Sequence, residues 1–79
     1  MPRILGIDPG SRITGFGLID TVKHKSVYVT CGCIRTRATT MPLRLQEIYT
    51  GVSEIIGQYQ PTVLAIEQVF VHRNVASAL

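Results

Sequence analysis

The sequence predicts a mixed α/β architecture: three strands in an antiparallel meander, a long helix, and a fourth strand parallel to the first. Three observations predict it. Two short apolar runs, Ile4-Leu5-Gly6-Ile7 and Val63-Leu64-Ala65-Ile66, each end in a single acid, Asp8 and Glu67. Runs this short, bounded by turn residues, read as buried strands. The connections among the first three runs are too short for anything but antiparallel neighbours. Between Pro42 and Tyr59, apolar residues then recur at steps of three and four, the spacing of one helix face.

Arg3 to Asp8 is the first strand. Pro9 cannot donate to a sheet ladder, so pairing stops close to Asp8. Gly10 lets the chain turn away and leaves room beside the acid. Ile13 to Asp20 is the second strand, with Gly15 and Gly17 on one face. These two glycines are expected to allow tight packing against a helix; room beside the acid is the alternative. Thr21 to Lys25 is a polar turn, and Ser26 to Arg35 is the third strand. Thr36 to Thr40 is a solvated loop with Arg35 and Arg37 at its mouth, and phosphate contact is the alternative for the two arginines.

Pro42 to Tyr59 is the helix, with proline tolerated in its first turn. Leu45, Ile48, Val52, Ile55, Ile56 and Tyr59 make its apolar stripe and are expected in the core. Gly51 and Gly57 each oppose the helix by about 1 kcal/mol against alanine. Gln60-Pro61 ends it. The fourth strand runs to Glu67, a loop covers Gln68 to Arg73, and Asn74 caps a second helix that begins at Val75. The chain stops inside that helix at Leu79, so residues 1–79 are expected to be the amino-terminal part of one larger domain.

The chain has 79 residues, 46% of them hydrophobic. That excludes disorder and allows one thin core. No run reaches the roughly 18 apolar residues of a membrane span. Met1-Pro2-Arg3 lacks the layout of a signal peptide, so a cytoplasmic location is expected. Lysine and arginine outnumber acids by three, and the isoelectric point is about 9.2. With two acids assigned to a site, the remaining surface is more basic still, which suits a polyanion such as nucleic acid. Cys31 and Cys33 share one strand face and are too few for a structural zinc site. They are expected to be small, reduced and buried.

If the first and fourth strands are parallel neighbours, Asp8 and Glu67 meet at one sheet edge, where open α/β sheets place ligands. Strands lie roughly 4.8 Å apart. Charges that close repel by about 4 kcal/mol at an effective dielectric near 20. A shared proton or a cation must offset this. Acids with no histidine or cysteine beside them suit Mg²⁺ or Mn²⁺ rather than zinc.

The order of elements matches the first part of a ribonuclease H-like fold. The blocks Ile4-Leu5-Gly6-Ile7-Asp8-Pro9-Gly10-Ser11, Thr14-Gly15-Phe16-Gly17, Cys33-Ile34-Arg35-Thr36 and Ala65-Ile66-Glu67-Gln68-Val69-Phe70 together resemble the RuvC family of bacterial Holliday-junction resolvases. The resemblance covers all 79 residues. Sugar kinases and actin-like ATPases share the first block's turn; the Glu-Gln-Val-Phe block with Asn74 downstream is specific.

The resemblance implies Mg²⁺-dependent hydrolysis of DNA strands at four-way junctions, with four carboxylates holding two metal ions. Asp8 and Glu67 match the first two carboxylates, and the other two are expected beyond Leu79. On its own the 79-residue chain is therefore expected to be inactive. Phe70 matches an aromatic that stacks on bases at the junction centre, with a core anchor as the alternative. Arg73, Asn74 and Arg12 are the other expected DNA contacts; for the two arginines a solvated charge is the alternative. His72 stands alone and supports no role. Homodimerisation through the helix near Asn74, and partnership with the junction-migrating RuvA/RuvB complex, also follow from the resemblance. The rival readings are an RNase H-like nuclease maturing ribosomal RNA and an actin-like nucleotide-binding ATPase or kinase.

Overall fold

Residues 2–67 are described in the computed structural model. They form β1 (Arg3–Asp8), β2 (Ile13–Val22), β3 (Lys25–Arg35), α1 (Met41–Tyr59) and β4 (Val63–Ile66). The sheet order is β3-β2-β1-β4. β1 pairs antiparallel with β2 and parallel with β4, and β2 pairs antiparallel with β3. The expected meander, crossover helix and parallel strand are all present. The loop from Gln68, the cap at Asn74 and the second helix lie outside the described residues.

The β2–β3 turn is tighter than the sequence predicts, and both strands run further toward it. Lys23 (φ 49°) and His24 (φ 67°) both adopt left-handed backbone between the paired residues Val22 and Lys25. Positive φ at both central positions is the mark of a two-residue hairpin whose twist matches its strands. A register irregularity between Leu18 and Ile19 re-sets the pairing with β3.

Alternation along each strand sorts the sheet into two faces. Leu5 and Ile7 of β1 lie opposite Leu18 and Phe16 of β2, and this face meets the helix. Leu5 and Leu18 are fully buried, and Ile7 and Ile55 nearly so. Val52, Tyr59, Phe16, Val29 and Ile34 pack around them.

The helix stripe is narrower than the sequence predicts. Ile55 is buried and Ile48, Val52 and Tyr59 are half-buried, but Leu45 and Ile56 are 57% and 42% exposed. Leu45 borders a gap beside Ile7 and Pro9, and Ile56 borders one beside Leu5 and Val63. β4 is likewise exposed along its length.

Two devices secure the end of the helix. Gln60 turns into left-handed backbone, and its N–H reaches the Ile56 carbonyl at 2.9 Å, closing the helix before Pro61. Arg3 donates to both Asp20 carboxylate oxygens at 2.8 and 3.1 Å and to the Tyr59 carbonyl at 3.0 Å. One guanidinium thus joins β1, β2 and the end of α1. The last turn of α1 holds no basic residue of its own.

Candidate functional site

Asp8 closes β1 opposite Gly15 of β2. Thr14 is buried and holds the turn that follows Asp8. Its hydroxyl donates to the Gly10 carbonyl at 2.8 Å, and the Gly10 N–H donates to the Thr14 Oγ1 at 3.2 Å. A Cβ at Gly10 would overlap the Ile13 carbonyl oxygen, so the turn closes only with glycine there.

Glu67 follows directly on β4. Its N–H donates to the Ile7 carbonyl at 3.1 Å, one position beyond the pair Ile7 and Ile66. Asp8 and Glu67 therefore occupy the same rung of neighbouring parallel strands, on the sheet face turned away from the helix. The predicted juxtaposition is present. Both acids are exposed. Among the described residues neither carboxylate takes part in a hydrogen bond or an ion pair.

The floor beside the acids is built from small residues. Gly15 faces the side chain of Asp8, and a Cβ there would sit 3.8 Å from the Asp8 Cβ. Gly17, Gly6 and Ala65 make the next rung. Nothing lies within 4 Å of where a Gly17 Cβ would be. These residues line an open concavity of about 730 Å³ with Asp8 and Glu67 at one end. Gly15 and Gly17 therefore do not pack against α1: they lie on the other face and, among the described residues, leave space beside the acids, the alternative reading of the pair.

The cysteines need the same correction. Cys31 and Cys33 are free, as expected, but exposed rather than buried. They oppose Gly17 and Gly15 on the uncovered face of β3, and the Tyr28 hydroxyl lies 3.7 Å from the Cys31 sulfur.

Three contributors escaped the sequence reading. Gly6 and Ala65 share the acids' face by simple alternation, a signal available from the pattern of β1 and β4. Thr14 gave no such signal, because its role depends on the turn geometry. Arg12 is exposed beside this turn. Phe70, Arg73 and Asn74 lie outside the described residues.

The donor set is two carboxylates, oxygen only, on an open floor, which fits a hard divalent cation. Among the described residues no group of three or more His, Cys, Asp or Glu could hold a metal. No helix among them is long and apolar enough to cross a membrane.

The family model described as crossover junction endodeoxyribonuclease RuvC matches residues 4–79. The chain belongs to the RuvC family. It is 58% identical over its whole length to the RuvC of Shewanella piezotolerans and 57% identical to that of Vibrio cholerae. In each case it spans 46% of the relative, so the chain covers about half the length of the curated relatives it matches. Among solved structures it is similar to Thermus thermophilus RuvC in complex with a Holliday junction substrate. There the TM-score is 0.80 at 25% identity, over 96% of this chain and 48% of the other. A second T. thermophilus RuvC structure gives a TM-score of 0.73. The ribonuclease H-like fold is thereby established. The RuvC matches favour the junction-nuclease reading over the RNA-processing and nucleotide-binding rivals.

Proposed function

We propose that this chain is the amino-terminal part of one RuvC nuclease domain and supplies two carboxylates to an endonuclease that cuts four-way DNA junctions. One observation carries the reading. Asp8 and Glu67 share a rung of adjacent parallel strands, unengaged by other side chains among the described residues, beside a floor of small residues in a RuvC-family chain.

The proposed cofactor is Mg²⁺, with Mn²⁺ as a substitute, at two ions per complete site. Asp8 and Glu67 would hold the ions, whose chemistry when bound would be activation of a water for attack and stabilisation of the leaving oxygen. β1 and β4 fix the separation of the two carboxylates, and the Thr14–Gly10 clasp fixes the turn beside Asp8. Gly15 and Gly17 leave the space into which a strand backbone enters. Phe70 stacks on a base, and Arg73, Asn74 and Arg12 contact DNA. The working enzyme is a cytoplasmic homodimer that acts with the RuvA/RuvB complex.

The test is Asp8→Asn in the whole protein. The variant keeps the shape of the site and removes one charge. Mg²⁺-dependent cleavage of a labelled four-way junction should be lost while junction binding persists. Cleavage at the normal rate would sink the assignment.

A further inference from the structure

The loop after β3 is expected to be a solvated turn, yet it is fastened at three points. Thr36 donates its N–H to the Arg12 carbonyl at 2.9 Å and its hydroxyl to the Ser11 carbonyl at 2.7 Å. Both Glu47 oxygens accept backbone N–H groups, from Arg37 at 2.8 Å and Ala38 at 2.7 Å. Arg44 donates to the Ala38 carbonyl at 2.8 Å. The Thr36 bonds draw the β1–β2 turn against the end of β3, which gathers Arg12, Arg35 and Arg37 on adjoining segments. All three are exposed. Among the described residues none of their guanidinium groups has an acidic partner.

Their position relates them to the acids. Arg35 lies opposite Ile13, two residues beyond the rung of Cys33, Gly15 and Asp8. By register it shares the sheet face of Asp8, and at the strand end it also borders a gap toward α1 lined by Glu47 and Glu54. Two strand spacings and two residues of rise put its Cα about 12 Å from that of Asp8.

We infer that Arg12, Arg35 and Arg37 form a phosphate-binding rim that holds the DNA backbone to one side of the bond at Asp8 and Glu67. Like charges held on neighbouring segments repel, and a run of phosphates relieves that repulsion. Thr36 is the positioning residue, because it sets the turn carrying Arg12 against the strand carrying Arg35. The inference rests on the proposed DNA substrate.

The experiment is the salt dependence of binding to a synthetic four-way DNA junction, measured by fluorescence anisotropy on the whole protein between 50 and 200 mM salt. Each phosphate contact contributes about 0.7–0.9 to the slope of log affinity against log salt. The double variant Arg35→Gln/Arg37→Gln should lose about 1.4–1.8 of slope, so the wild-type advantage shrinks roughly tenfold across that range. Arg35→Lys/Arg37→Lys should keep the slope. Lys23→Gln/Lys25→Gln removes the same charge at the far end of the sheet and should change the slope less than half as much. Arg12→Gln, on a separate segment, should lose about 0.7–0.9 and gives an independent reading if the double variant folds poorly.

An equal drop in the lysine and arginine variants would reduce the effect to net charge and overturn the rim. So would an unchanged slope in the arginine variants of a protein that binds junctions, with the proposed function left standing. Absence of DNA binding by the wild type would overturn both.

Discussion

Gly51 stands in the middle of α1, where alanine is favoured over glycine by about 1 kcal/mol. On propensity alone Gly51→Ala should stabilise the protein. The packing opposes it. A Cβ at Gly51 would lie 2.8, 3.0 and 3.1 Å from Cδ1, Cγ1 and Cγ2 of Ile34. Three atoms of one β-branched side chain cannot all swing aside through a single rotamer change. Overpacking of this kind costs about 1–3 kcal/mol. The net expectation is a loss of about 1 kcal/mol, within a range of about 0–2.

The sign should depend on Ile34. In an Ile34→Ala background the obstructing atoms are gone, and Gly51→Ala should recover its helical gain of about 1 kcal/mol. A double-mutant cycle by urea denaturation, followed by circular dichroism, should return a coupling of about 2 kcal/mol. Stabilisation by Gly51→Ala in both backgrounds would refute the packing argument.

Thr14→Val should destabilise by about 1–3 kcal/mol in the same assay, because it leaves the Gly10 N–H and carbonyl without their partner. Thr14→Ser should keep most of that stability and, unlike valine, preserve junction cleavage by the whole protein. The hydrogen bonds from Arg3 hold the Asp20 carboxyl below its usual range; desolvation opposes them, and the charge attraction adds to them. A depressed native pKa means the unfolded chain binds the proton first, so this contribution is complete above the ordinary aspartate range. It disappears as pH falls through the lowered native value. Unfolding curves between pH 7 and pH 2 should therefore show a shallower acid loss for Asp20→Asn than for wild type.

The backbone plan was legible because each element carried its own punctuation. β1 has the predicted limits, since Pro9 stops the ladder at Asp8. The helix ends where Gln60-Pro61 requires. The pairing of Asp8 with Glu67 followed from two similar acid-ended strands. What alternation alone leaves open is which face of a sheet the helix covers. Cys31 and Cys33 share a face, as do Gly15 and Gly17, and all four lie on the face without the helix. The deciding residues were Leu5 and Leu18, whose cross-strand pairing fixes the covered side. The hairpin at Lys23 and His24 was obscured for a different reason. Such turns favour asparagine and glycine, and neither residue here advertises left-handed backbone. Leu45 and Ile56 show the limit of periodicity: it finds a stripe, and what packs opposite decides how much of it is covered.

The crossover between β1 and β4 also fixes when the two acids can meet. The hairpin of β2 and β3 closes across two residues, Lys23 and His24. The bond between Arg3 and Thr62 spans 59 positions. Closing the longer loop costs more entropy before any contact repays it, so local pairing has the kinetic lead. Asp8 can join the meander through local pairing, while Glu67 reaches its rung only when the longer loop closes. A partly folded chain then presents one acid without the other. The order of assembly thus separates the making of the scaffold from the making of the pair that gives it chemistry.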